Sequence, residues 1–184
     1  MTDRDQRVLD LLDGREPASV VEVQWRRPLT IASHVGEAEL PDDLVTGVRC
    51  LVVVDGCLVM CTNVRGLTHP WPGGRRDPDE SLVQTAVREV HEETGWHVEP
   101  GSIVPIGFLH LFNNGERFGP YPHPDSLQLV VRVSASERAA GDWTDTEGYE
   151  LSSALVPIAE AGDAVSPEEP MALPFIQLLA REGD

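Results

Sequence analysis

The stretch from Gly73 to Trp96 constrains this chain more than any other part of it. Gly73-Gly74 leads through Arg75-Arg76-Asp77-Pro78-Asp79 to Glu80, and the run from Ser81 to Thr94 ends at Gly95. Leu82, Val83, Ala86, Val87 and Val90 recur at helical spacing and form one apolar stripe. Asp77 reads as an N-cap, with Pro78 at the first helical position and Glu80 three residues after the cap. Gly95 supplies the C-terminal stop. The pattern predicts a helix over 77–94 with one apolar side, and such a helix must be buried against another layer.

The flanks supply that layer. Val48–Val54 and Leu58–Thr62 are apolar runs either side of Asp55-Gly56, a hairpin signal. Strand-like segments are Val20–Trp25, Leu29–His34, Ile103–Phe112, Leu127–Val133 and Ala154–Ile158. A weak helix is expected at Asp3–Asp13 and a terminal helix within Ser166–Asp184, limited by Pro170 and Pro174. Loops are expected at 37–43, 63–72, 113–126 and 141–150. Strands around an amphipathic helix, with a second helix at the end, predict a layered α/β domain. The chain of 184 residues suits one domain over 46–184, with 1–45 as an extension packed on it.

The net charge of −17 argues against a long nucleic acid as partner, since that affinity rests on neutralising phosphates. A small phosphorylated ligand is compatible if metal ions and a few arginines reverse the field locally. Every cationic side chain other than histidine is Arg, so lysine chemistry is excluded. Cys50, Cys57 and Cys61 are odd in number and lack CxxC spacing, so they read as small buried hydrophobes rather than a disulfide framework or zinc site. No apolar run is long enough to span a membrane, and Met1–Asp5 lacks a signal-peptide layout; the expected location is cytoplasmic.

The polar side of the predicted helix carries Arg88, Glu89, Glu92 and Glu93. Glu89 faces both Glu92 and Glu93, and each such pair repels by about 0.2–0.5 kcal/mol. A hard divalent cation turns that repulsion into binding, because Mg²⁺ takes carboxylates, water and phosphate oxygens. Gly73 and Gly74 let backbone approach a ligand closely.

Gly74, Glu80, Arg88-Glu89, Glu92-Glu93, Gly95 and Trp96 stand at the spacing of the Nudix box, and the stretch resembles that family. Pro72-Gly73-Gly74 is similar to the family's lead-in, whereas Trp96 fills a place more often aliphatic. The element order from Thr46 to Glu160 is similar too. The resemblance implies a Nudix-like α/β/α sandwich with a mixed central sheet. It also implies metal-dependent hydrolysis of a nucleoside diphosphate linked to another group, with Mg²⁺ or Mn²⁺ as cofactor. Carried over by position, Glu92 and Glu93 are metal ligands, Glu89 a ligand or the general base, and Gly73 a carbonyl ligand. Arg88 and Glu80 orient the helix, with Gly74 and Gly95 in support.

Further acids often complete such sites in relatives. Glu147 and Glu150 are the candidates here, with Asp142 and Asp145 behind them. Arg65, Arg75, Arg76, Arg117 and Arg132 are candidate phosphate clamps, Arg65 and Arg117 being the preferred pair. The loop Asn113–Ser126 places Phe118, Tyr121 and His123 among Gly and Pro, and its aromatics can stack on a base. The tryptophans, His91, His97 and His110 read as core or surface. Two rival readings are a non-catalytic Nudix-fold nucleotide-binding or regulatory module, and a prenyl-diphosphate isomerase. The first predicts eroded box glutamates; the second needs a cysteine motif that Cys57 and Cys61 do not form. A homodimer is left open, and the substrate's identity is not readable.

Overall fold

The computed structural model describes residues 4–24, 28–117, 119–140 and 143–182. The order of elements is α1 (Gln6–Leu12), β1 (Ser19–Gln24), β2 (Pro28–Val35), β3 (Val45–Val54), β4 (Cys57–Asn63), β5 (Thr68–His69), α2 (Leu82–Thr94), β6 (Trp96–Val98), β7 (Val104–Phe112), β8 (Asp125–Arg138), β9 (Glu150–Pro157), α3 (Ile158–Ala164) and α4 (Leu173–Glu182). The main sheet runs β1-β2-β7-β8-β3-β4-β5, with β9 paired to β4 and β6 to β8. It is mixed: β3 and β8 are parallel, and the other pairings are antiparallel.

Alternation along the strands builds two cores. Val48, Cys50, Val52, Val59, Cys61, Val131 and Val133 turn to one face, where Ala86 and Val90 of α2 cover them. Leu51, Leu58, Met60 and Val130 turn to the other, under Phe175, Ile176 and Leu179 of α4. Fully burying one such Val or Leu side chain contributes about 1.5–3 kcal/mol. Helices on both faces of a mixed sheet make the expected α/β/α sandwich. A smaller cluster joins Val8 of α1 to Leu44, Val45, Phe108 and Leu127, so the N-terminal segment is fastened to the sheet. Arg4 reinforces it by gripping Asp125 through Nε at 3.0 Å and Nη2 at 2.7 Å.

The β3–β4 turn is as the sequence predicts: Asp55 (φ 47°) and Gly56 (φ 77°) both sit in the left-handed region that a two-residue hairpin demands. Toward its start β3 parts from β4, and the chain from Pro72 to Arg76 lies beside it instead. Cys50 N–H donates to Pro72 O, Val48 N–H to Gly74 O and Arg76 N–H to Thr46 O, at 2.9, 3.0 and 3.1 Å. Cys50 and Cys61 are buried free thiols, and Cys57 is half-buried.

Two local expectations are corrected. The helix starts at Leu82, not near Asp77. Ser81 is the N-cap, in a reciprocal capping box with Gln84. Glu80 meets Arg88 through both oxygens and still accepts from Asp77 N–H at 3.3 Å, so 77–80 forms a separate turn, closed by Glu80 N–H on Asp77 O. Val83, expected on the apolar stripe, is exposed, while Glu89 is buried beside Ala86 and Val90. The segment 63–72, expected as loop, contains β5, and β6 forms directly after Gly95.

Candidate active site

One end of the sheet gathers the chemistry. The ends of β7 and β4 and the starts of β3, β8 and β9 meet there, as the registers Phe112↔Asp125, Val45↔Leu127 and Asn63↔Glu150 require. Gly73 to Arg76 crosses this end beside β3, with Gly47 bridged to Arg75.

Here the absence of a side chain matters twice. Gly73 has φ 151° and lies against the backbone of Val48 and Arg49. At Gly74 a Cβ would stand 2.5 Å from Glu89 Oε1, so a side chain there would displace that carboxylate. Gly73 N–H donates to Glu93 Oε2 at 2.8 Å. The turn therefore holds one glutamate by its amide and makes room for another.

Arg88 organises the outer side. It donates to Glu80 Oε1 at 2.7 Å and Oε2 at 2.9 Å, to Glu89 Oε1 at 2.9 Å, to Glu92 Oε2 at 3.0 Å and to Arg75 O at 3.0 Å. The Arg88 hydrogen bond pulls the Glu80 carboxyl down to about 2. On the inner side the shifts reverse. Burial pushes Glu93 up to about 8, although the Gly73 amide and the charge of Arg49 oppose it. Burial also raises Glu89, against the pull of Arg88.

Glu150 opens β9 with its side chain only 1% exposed. Its Oε1 lies 3.0 Å from His69 Nε2, and its Oε2 is buried without a partner. Its charge adds to the upward push on Glu93. Asp145 accepts from the N–H groups of Glu147, Tyr149 and Glu150 at 3.0, 2.7 and 2.8 Å, which fixes the turn leading into β9. The Glu147 side chain is exposed on that turn.

These donors suit a hard divalent cation. They are carboxylate oxygens, and a buried carboxylate oxygen without a partner is one that a cation would satisfy. Among the described residues, no three His, Cys, Asp or Glu side chains already close on one point. Arg88 holds Glu92 and one oxygen of the buried Glu89, while Gly73 holds Glu93. The Gly73 carbonyl, expected as a ligand, accepts from Arg49 Nη1 at 2.9 Å.

The structure sorts the arginines. Arg65 is exposed on the β4–β5 turn, its N–H on Asn63 Oδ1 at 2.9 Å. Arg117 lies on the β7–β8 loop, in the wall of a cavity of about 350 Å³ shared with Arg4, Leu44, His123 and Asp125. The β4–β5 turn follows β4 and the β7–β8 loop leads into β8, the strands on either side of β3. Arg75 lies over the Tyr121 ring at 5.0 Å, which brings the β7–β8 loop to the box. Arg76 is held by Asp42 and the Glu80 carbonyl. Arg132 is no clamp for this site: it sits farther along β8, nearest Glu182 at 3.8 Å. Phe118 and Asp142 lie outside the described residues.

His110 is core, bonded through Nε2 to Asp125 at 2.7 Å, and His91 stacks on His97 at 4.6 Å. Trp71 is buried, and Trp143 packs on Gly95 with its Nε1–H on His91 O at 3.2 Å. Arg49 and His69 went unremarked in the sequence. Arg49 had a signal, one cation inside an otherwise apolar strand; a single histidine at 69 had none.

No curated protein matches the chain. Among solved structures it is similar to a variant of the Bacillus subtilis pyrophosphohydrolase BsRppH, with TM-score 0.58 and 15% identity over 89% of this chain and 97% of that one. A NUDIX hydrolase from Nitrosomonas europaea gives TM-score 0.54 and 20% identity over 76% and 90%. A structure from a study of MutT from Aliivibrio salmonicida and Vibrio cholerae gives 0.50 and 17% over 73% and 94%. At these identities the likeness establishes the fold. The NUDIX domain model matches residues 43–179, from the approach to β3 into α4. That match takes in both cores and every box residue, and the chain belongs to the NUDIX domain family.

Proposed function

We propose that this Nudix-type hydrolase cleaves the diphosphate linkage of a small nucleoside-diphosphate derivative, by water attack at phosphorus, with Mg²⁺ or Mn²⁺ as cofactor. One observation carries the reading: Glu89 and Glu93 are drawn inward against the bare Gly73-Gly74 turn, where burial raises both above their ordinary range. BsRppH is described as a pyrophosphohydrolase, and the same bond is proposed to break here.

Glu89, Glu92 and Glu93 would hold the ion, with Glu150 as the additional acid. Held there, a dication would neutralise phosphate charge and lower the pKa of the attacking water. Arg88 keeps Glu92 and Glu89 within reach of one another. Gly73 fixes the rotamer of Glu93 through its amide. The proton from water falls to whichever of these carboxylates is left unligated. Arg65 and Arg117, one on either side of the turn, are the proposed phosphate contacts. The cavity beside Arg117 and His123 is proposed for the group beyond the diphosphate, with Tyr121 as a stacking surface. Residues 1–45 act as an extension that walls this cavity through Arg4.

The test is a substrate panel spanning oxidised nucleotides, sugar nucleotides, dinucleotides and coenzyme A. Release of a nucleoside monophosphate that stops on chelation and returns with Mg²⁺ is expected. Full turnover after chelation would overturn the mechanism. Binding of every panel member without turnover of any would favour the non-catalytic module instead.

A further inference from the structure

Glu150 carries an arrangement that the box does not explain. Its carboxylate is divided: Oε1 rests on His69 Nε2, and Oε2 is buried with no partner. A buried carboxylate oxygen without a donor is costly. His69 is itself 7% exposed and lies on β5, opposite Cys61 of β4. Glu150 opens β9, opposite Asn63 of the same strand. β4 thus fixes both partners, while α2 packs on both β4 and β9. Glu150 on β9 and Glu93 on α2 belong to different elements that both pack on β4. Asp145 fixes the Glu150 backbone, and His69 is the protein group that fixes its side chain.

We propose that His69 is a positioning residue: by holding Glu150 Oε1 it turns Oε2 toward Glu93, so that Glu150 serves as the inner acid of the cation site. This rests on the metal-dependent reading above. A carboxylate that ligates a metal is itself held by outer hydrogen bonds, and removing such a partner weakens metal affinity about 10–100-fold. Segment 63–72 thereby acquires a role: β5 delivers the histidine.

Mn²⁺ binding by the full chain, followed by electron paramagnetic resonance and calorimetry, tests the proposal without reference to turnover. His69→Leu should weaken Mn²⁺ about tenfold or more, and Glu150→Gln at least as much. His69→Gln keeps an N–H near the Nε2 position and should stay within about threefold of the parent. His69→Asn is polar but too short to reach Glu150, so it should behave as His69→Leu and serves if the leucine variant does not fold. The double variant His69→Leu/Glu150→Gln should bind no more weakly than Glu150→Gln alone. Parent-like affinity in His69→Leu or His69→Asn would overturn the positioning role while leaving the metal reading intact. A double variant well below Glu150→Gln would do the same, since His69 would then act independently. A parent protein that binds no Mn²⁺ overturns both.

Discussion

The two sides of the carboxylate cluster differ more than their shared residue type suggests. On the outer side Glu80 meets Arg88 through both oxygens and titrates near 2. On the inner side Glu93 has one amide, the charge of Arg49 and neighbouring acids, and burial pushes it up to about 8. Both glutamates serve one helix, yet a guanidinium keeps one ionised and burial keeps the other protonated. The lesson is that a satisfied carboxylate does structural work, and an under-compensated one marks where a cation would relieve the site. The proposed chemistry belongs to the inner side, and the experiments below test that division.

The largest effect should fall on the inner side. Glu93→Gln should reduce kcat by about 100-fold or more, as expected when a metal-site or proton-transfer group is lost. Glu92→Gln should also lower kcat and weaken metal binding, though its carboxylate rests on Arg88. Melting of the metal-free Glu93→Gln protein should be unchanged or higher, because a buried acid has been removed. Near-parent turnover at saturating metal would show that the residue is misassigned.

Arg88→Ala should do what the inner variants do not, and lower stability as well. It releases Glu80, Glu89 and Glu92 together, at a cost of about 1–3 kcal/mol given partial exposure. A double-mutant cycle with Glu80→Gln should assign much of that to the Glu80 pair. Additive losses would break the contrast between the two sides.

The pH dependence of metal-free stability sharpens it. Glu93 titrates near 8 in the folded chain against an ordinary 4.5, so the folded state binds its proton more tightly. That stabilisation is complete below about 4.5 and is lost as pH rises through 8. Glu80 has the opposite sign: its contribution is present above 4.5 and is lost as pH falls toward 2. The chelated protein should therefore melt lower at pH 8.5 than at pH 5.5, and Glu93→Gln should flatten that slope. A flat profile in the parent would mean that Glu93 is not held protonated by burial.

Much of this was legible in residue order, and the failures have physical causes. The helix, its Gly95 stop and the Asp55-Gly56 turn follow from local rules that depend on few neighbours. The helix start is harder to read because two capping patterns overlap: Glu80 accepts from Asp77 N–H in a separate turn, while the reciprocal Ser81–Gln84 box opens the helix. Glu89 read as polar face and is buried, since its depth is set by the close approach of Gly74. Arg49, His69 and the inward turn of Glu150 depend on strand register across β3, β4, β5 and β9, which no local pattern encodes.

The smallest effect should come from the β7–β8 loop, the region farthest from this charge contrast in chemistry though near it in space. In the proposed reading the box would contact metal and phosphates, which every candidate substrate shares, so discrimination would lie elsewhere. Tyr121 is the loop's described link to the box: the Arg75 guanidinium lies 5.0 Å from its ring centre, and Arg75 O accepts from Arg88. At a partly exposed site that stacking contributes about 0.5–1 kcal/mol, so Tyr121→Ala should barely change melting. If a base or sugar stacks on the same ring in the complex, the loss in kcat/KM for the preferred substrate should reach about 1–3 kcal/mol, and poor substrates should lose less. Arg75→Ala separates the two contributions, because it removes the cation while leaving the ring. A selective loss in Tyr121→Ala with unchanged Mn²⁺ affinity would place specificity in this loop. Equal losses across all substrates, or none, would make the loop a connector and move recognition to the Arg4 side of the cavity.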